Sequence, residues 1–173
     1  HLVFAGFVGM IDPPREEVKD AIREAIEAGI KIKVITGDSA LTTLAIAQKI
    51  GLEGSVVEGR ELEGLDDKAW HNLVKTKTIF ARVTPQQKLK VIDILKEQSE
   101  TVAVTGDGVN DILALKRADI GIAMGIRGSD VARDSSDMIL LDDNFASIVK
   151  AIYQGRRIAD NLKKSIKFLL AAN

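Results

Sequence analysis

The chain has 173 residues, 46% of them hydrophobic, enough for one globular domain with a core of its own. Its 24 Lys plus Arg nearly balance 25 Asp plus Glu, which leaves no polyelectrolyte footprint pointing to nucleic acid, so any anion site must be local. Cysteine is absent, which excludes disulfides and thiolate metal sites and fits a reducing compartment, and no apolar run reaches the ~18 residues that span a bilayer, which predicts a segment soluble as it stands.

The opening "HLVFAGFVGMIDPPR" lacks the pattern of a secretory signal and reads as the interior of a longer protein. From "IDPPREEVKDAIREAIEAGI" a helix is predicted, with Asp12 as cap, Pro13 and Pro14 in the first turn, and Glu16 and Glu17 at the positive end of its dipole. Val18, Ala21, Ile22, Ala25 and Ile26 form its apolar stripe and Gly29 ends it. Ile30 to Ile35 reads as a strand that stops at Thr36-Gly37-Asp38, followed by a helix from Ala40 to Ile50. Residues Glu53 to Lys77 read as a surface excursion around a short helix bearing Trp70. The alternation then repeats: "TIFARVT" is a strand, Pro85 opens a helix carrying Leu89, Ile92 and Leu95, and "TVAV" is a continuous apolar strand ending at Thr105-Gly106-Asp107. A short helix to Arg117, the strand "DIGIAMG", a helix near Ser129 to Arg133, the strand "DMILL" and a long helix from Phe145 complete the series. Strands apolar on both faces and joined by helices argue for a parallel sheet covered on both sides.

Ligands of open α/β sheets bind outside the carboxyl ends of the strands, and Thr-Gly-Asp stands at two such ends, at Thr36 to Asp38 and at Thr105 to Asp107. Threonine offers a hydroxyl, glycine lets backbone amides approach an anion, and aspartate can hold a hard cation, which together describe a phosphate and magnesium site. For Asp107 and Asp111 the alternative is helix capping, weaker at Asp107, where a carboxylate at the end of a buried strand needs a cationic partner. Thr36 and Asp38 carry the same capping alternative. Asn110 can bond a phosphoryl oxygen or close an Asx turn. Lys88, in the first turn of the Pro85 helix, can reach a phosphate over the sheet edge or stand as a solvated charge, and Arg82 can equally serve as an ion-pair residue. His1 and His71 have no companion His or Cys at ligand spacing and are assigned to surface or core roles.

Taken in order, "GMIDPPR", "ITGDS", "FARVTPQQK", "VTGDGVND", "LKRADIGIAMG", "LLDDNF" and "GRRIADNLKKSIKFLL" resemble the phosphorylation domain of P-type cation-transporting ATPases, most closely the type II pumps that include the calcium and sodium/potassium pumps. The resemblance covers nearly the whole chain. It implies a doubly wound, mostly parallel Rossmann-like sheet of haloacid dehalogenase type with a long C-terminal helix, and ATP-driven formation and hydrolysis of an aspartyl phosphate. On that resemblance Asp107 ligates magnesium with Asp111 and Asn110 in support, Thr36 and Gly37 bind the phosphoryl group, and Lys88 neutralises its charge. Asp38 and Arg82 contact ATP, and Arg15 lies near the hinge to the nucleotide-binding domain. The expected division is a phosphorylation domain over residues 1–150 and, over 151–173, a stalk leading toward the fifth transmembrane helix, with the segment on the cytoplasmic side of a membrane pump. Calcium is the favoured ion; "TPQQKL" and "DNLKKSI" pull toward sodium/potassium.

The family's phosphorylated aspartate stands in Asp-Lys-Thr-Gly-Thr, a stretch not found here. The chain is therefore expected to lack the central nucleophile strand, to leave an exposed gap or a rearranged partner strand, to hydrolyse no ATP alone, and to rely on nucleotide-binding, actuator and transmembrane domains of a parent. Ile112-Leu113 replaces the family's usual Ala-Pro or Ser-Pro, which removes a helix-start device. In the tail, Ile148, Ile152, Ile158, Leu162, Ile166 and Leu169 form a stripe beside Arg156, Arg157, Lys163, Lys164 and Lys167; a solvated amphipathic helix is the alternative to a stalk. A soluble phosphatase of the same superfamily and a non-catalytic phosphate-binding module are the competing functions.

Overall fold

The computed structural model describes residues 2–6, 8 and 13–171. Asp12, expected to cap the first helix, and most of "GMIDPPR" lie outside the described residues. Helix α1 spans Glu16–Glu27 with Arg15 at the N-cap, so Pro13 and Pro14 precede the helix and do not form its first turn. Arg15 takes the extended conformation of an N-cap, φ −64° and ψ 142°, so the helix starts only after it. At the other end Gly29 takes φ +79°, and the amides of Ile30 and Gly29 donate to Ala25 and Ile26 carbonyls, the six-to-one and five-to-two pair of a Schellman cap.

Strand β1 is only Val34–Ile35, shorter than the expected Ile30 to Ile35, because it is hydrogen-bonded on one side alone. Helix α2, Ala40–Lys49, follows. The stretch read as a surface excursion holds the expected short helix bearing Trp70, α3, Asp67–Thr76, and in addition supplies strand β2, Val56–Glu58, and a 3-10 turn at Gly59–Leu62. Trp70 is 4% exposed and packs in a core with Val57, Leu62, Val74, Phe80, Val91 and Ile94. Its neighbours come from strand β3, Ile79–Ala81, and helix α4, Pro85–Glu97. Strand β3 is buried at all three positions and lies between β1 and β2 in a parallel sheet, with Val34 and Val56 both in register with Ile79.

The second half builds a separate three-stranded parallel sheet of order β4-β5-β6, from Ala103–Gly106, Ile120–Met124 and Met138–Leu140. Helices α5, Ile112–Arg117, and α6, Asp130–Asp134, join these strands. The expected single covered sheet is thus two parallel sheets among the described residues, and β4 is not the buried strand its composition suggested. Ala103 and Thr105 are exposed, since among the described residues β4 is bonded only to β5 and its other edge is open.

Helix α7, Phe145–Ala171, buries Val149 against Ala21 and Ala25 of α1, and Ile148 against Ile122 and Leu140. Arg156 donates to the carbonyl of Ala28 at 2.8 Å, tying α7 to the end of α1. Beyond this point the expected stripe meets no core: Ile158, Leu162, Ile166 and Leu169 are 48–66% exposed. No helix among the described residues is long and apolar enough to cross a membrane.

Candidate functional site

The carboxyl ends of β1 and β4 open on one cleft of about 650 Å³, lined by Thr36, Gly37, Lys88, Asp107, Asn110 and Asp111 together with Ile35, Val83, Thr84, Thr105 and Met124. Six of the nine residues singled out from sequence therefore meet in one place, contributed by both sheets. At the β1 end, Thr36 Oγ1 accepts from the amide of Asp38 at 3.0 Å, and the amide of Val83 donates to the Thr36 carbonyl at 3.2 Å. The capping alternative for Thr36 and Asp38 is replaced by Ser39, whose hydroxyl accepts from Thr42 N and caps α2. Gly37 also lines the cleft, and a Cβ on it would meet no atom within 4 Å.

Helix α4 is started by Thr84, whose hydroxyl accepts from Gln87 N at 3.2 Å while Gln87 Oε1 accepts from Thr84 N at 2.9 Å. This capping box sets the first turn, and Lys88 follows on it. Lys88 is not the solvated charge its position in the sequence allows: its side chain is 17% exposed and its Nζ lies 2.6 Å from Asp111 Oδ1. Asp111 Oδ2 accepts from Gly108 N at 3.4 Å. A Cβ on Gly106 would come 2.5 Å from Asp111 Cβ, so glycine at that position is what admits Asp111 into the cleft. Asp111 makes no side-chain capping bond to α5, but through Oδ2 it caps the 3-10 turn Val109–Asp111 at its Gly108 amide, so the capping alternative holds there beside the Lys88 pair.

Asp107 is exposed, and its carboxylate has no protein partner among the described residues. The sequence argument from a buried strand end does not hold there, because β4 is an open edge and Asp107 is exposed to solvent. The Asp107 carbonyl is held by Ser129 N at 2.9 Å. Asn110 is exposed at the cleft with no turn bond from its side chain. Asp38 and Arg82 are exposed outside the lining, with the Arg82 amide donating to the Asp38 carbonyl at 3.0 Å and Arg82 at φ +50°. Arg15 stands apart from the cleft, reaching the Asp142 carbonyl at 3.4 Å. His71 bridges α3 and α4, with its ring bonded to the Asp67 carbonyl and to Glu97.

Sequence reasoning passed over Gly106 as a steric requirement and passed over the segment 125–129 behind Asp107. The glycines of "MGIRGSD" carried the signal: a Cβ on Gly128 would lie 1.9 Å from the Met124 carbonyl.

A family model of haloacid dehalogenase-like hydrolases matches residues 3–119, and a second one of the same description matches residues 87–152. The chain is 49% identical over 176 residues to a calcium-transporting ATPase of Bacillus cereus, and 46% identical over 202 residues to the sodium/potassium-transporting ATPase subunit alpha-4 of Rattus norvegicus. Both matches take in 100% of this chain and 20% of the relative, so the chain spans about one fifth of the curated relatives it matches. Among solved structures, a zinc-transporting PIB-type ATPase in an E2.Pi state aligns with TM-score 0.68 and 31% identity, over 88% of this chain and 21% of that one. The chain therefore belongs to the haloacid dehalogenase-like hydrolase family, where it is homologous to the haloacid dehalogenase-like domain of P-type cation ATPases.

Proposed function

We propose that this chain is the downstream part of the phosphorylation domain of a type II P-type pump, which couples ATP hydrolysis through an aspartyl phosphate to cation transport, calcium being favoured and sodium/potassium next. The observation that carries the reading is the Lys88–Asp111 pair in a cleft shared by both sheets, beside an Asp107 carboxylate that no group among the described residues satisfies. Magnesium fits these donors: two carboxylates are present, no third acid or histidine completes a cage among the described residues, and magnesium keeps several waters while taking its remaining ligands from phosphate. Asp107 and Asp111 would hold it, and when bound it supplies charge neutralisation for phosphoryl transfer.

In this reading the chain's own groups position and neutralise. Thr36 and Gly37 present a hydroxyl and an unobstructed backbone to the phosphoryl oxygens, Lys88 supplies positive charge, and Asn110 offers an amide donor. Asp38 and Arg82, joined at the strand ends beside Thr36, contact the nucleotide of the parent, and Arg15 stands at the hinge side. The phosphorylated aspartate belongs to a strand of the parent, and the unbonded edges of β1 and β4, both bordering the cleft, support a place for it between the two sheets. Residues 1–150 form the domain and 151–173 the stalk toward the membrane on its cytoplasmic side; the exposed outer part of α7 supports that division. The fragment alone turns over no ATP.

Calorimetric titration of magnesium with and without inorganic phosphate tests this. Expected are weak binding of magnesium, strengthened by phosphate, loss of magnesium binding in Asp107→Asn, and loss of the phosphate effect in Lys88→Ala. Saturation at micromolar magnesium alone, abolished by Asp107→Asn, or ATP turnover that survives further purification, refutes the reading of an incomplete half-site.

A further inference from the structure

The segment between β5 and α6 is fastened at unusually many points for a surface connection. Gly125 N donates to the Leu140 carbonyl at 2.8 Å, and Arg133 Nη1 donates to the carbonyls of Gly125 at 3.0 Å and Gly128 at 2.7 Å. Both oxygens of Asp143 accept from its middle, from Ile126 N at 3.0 Å and Arg127 N at 2.8 Å. At its far end, Ser129 caps α6 with its hydroxyl and gives its amide to the Asp107 carbonyl at 2.9 Å.

Asp143 reaches those two amides from φ +49°, a left-handed conformation that costs a residue with a side chain and that only a few types tolerate. The geometry is thus maintained against a local backbone cost. Asp107 is a carboxylate with no side-chain partner among the described residues, so its backbone is what aims it, and that backbone is held on the far side by the segment Asp143 secures. The hydrogen bonds to an ionised carboxylate are the strong members of this chain of contacts.

We propose that Asp143 is a positioning residue for Asp107, acting through residues 126–129 to fix the strand-end backbone that carries the candidate cation ligand. This rests on the reading of Asp107 as that ligand. Second-layer partners of metal ligands typically alter affinity ~10–100-fold, and Asp143 acts through an intervening segment, so its loss weakens cation binding by about tenfold, the low end of that range.

The test uses manganese chloride as the probe on the whole chain, reading paramagnetic broadening of the Gly106, Gly108 and Asn110 amides and hydrogen exchange at the Ser129 amide. Asp143→Gly keeps the left-handed backbone without strain and removes both acceptors, while Asp143→Asn tolerates that backbone and keeps one carbonyl oxygen. Expected in Asp143→Gly are faster exchange at Ser129 and about tenfold weaker manganese binding, with Asp143→Asn recovering part of both. Should the glycine variant not fold, the asparagine variant against the unsubstituted chain decides by the same two readouts. Faster exchange with manganese affinity unchanged overturns the proposal, because the fastening is then structural only, and so does unchanged exchange at Ser129. Broadening in the unsubstituted chain that Asp107→Asn leaves intact removes the cation reading of Asp107 itself, and the positioning role with it.

Discussion

Gly106→Ala tests how the cleft admits its acids. The new Cβ would lie 2.5 Å from Asp111 Cβ and 2.9 Å from its Cγ, where ordinary contact starts near 3.4 Å. Asp111 must retreat by about 1 Å, and overpacking of this kind costs ~1–3 kcal/mol. In a chain of 173 residues each kcal/mol lowers Tm by about 2–4 °C, so the variant is expected to melt about 2–12 °C lower. The same retreat pulls Asp111 Oδ1 from Lys88 Nζ, now at 2.6 Å, so the Lys88 side-chain resonance moves toward that of an unpaired ammonium. Gly37→Ala is the control, since its Cβ meets nothing within 4 Å and should leave Tm nearly unchanged. Thermal unfolding followed by circular dichroism, with Lys88 observed by NMR, reads both effects. An unchanged Tm and an unmoved Lys88 resonance in Gly106→Ala would refute the argument that glycine here serves Asp111.

Trp70→Ala empties a core position and is expected to cost ~3–5 kcal/mol, seen as a lower denaturant midpoint at unchanged slope, with the cleft residues keeping their chemical shifts. The bond of the His71 ring to the Asp67 carbonyl, and after it the Glu97 carboxylate, hold the imidazole pKa above its usual value. Its contribution is therefore fully present below the unfolded value of ~6.5 and lost as pH rises through the folded one, so His71→Gln should lower Tm more at roughly pH 5.5 than at roughly pH 8.5. Asp119 goes the other way. The Val102 amide, then Lys96, hold its carboxyl below the usual range, so its stabilisation is present above ~3.9 and lost as pH falls through the depressed value; Asp119→Asn should flatten the acid limb of a Tm against pH curve.

What could be read in advance was what neighbouring residues decide. Thr84, Pro85 and Gln87 sit within one turn of each other and start α4 wherever the chain folds, and Gly29 ends α1 for reasons confined to the backbone beside it. The two Thr-Gly-Asp strand ends were legible for the same reason. The partners were not. Lys88 and Asp111 are 23 residues apart, and nothing in "TPQQKLK" distinguishes a lysine that finds a carboxylate from one that finds water. Strand β2 and Trp70 were misread because the glycines and acids around them, at Gly54, Glu58, Gly59 and Glu61 to Gly64, resemble a loop. They are turn and capping devices: Glu61 Oε1 accepts from Glu58 N, and Gly59 makes room for the Arg82 carbonyl, 2.3 Å from where a Cβ would stand. The shortness of β1 and the exposure of β4 depend on what lies beside each strand, which an apolar run cannot state.

The same non-local pairing bears on how the cleft would work on the proposed reading. It holds two carboxylates and one ammonium, and the ammonium is already bonded to one of the carboxylates. A divalent cation arriving alone finds Asp107 free but must share Asp111 with Lys88, and a phosphate arriving alone finds Lys88 occupied and Asp107 repelling it. Together the two ligands remove each other's obstacle: the cation takes the carboxylates, and Lys88, with three donors, turns to the phosphate without losing an anionic neighbour. Each must therefore raise the other's affinity by the same factor, a coupling that follows from the positions of three side chains. Because Thr36 and Gly37 come from one sheet and Asp107 and Asp111 from the other, with Lys88 spanning the gap from α4, that coupling also depends on the spacing of the two sheets. A strand inserted between their free edges would, by setting that spacing, change the affinity for both ligands at once, apart from any contact its own aspartate makes with them.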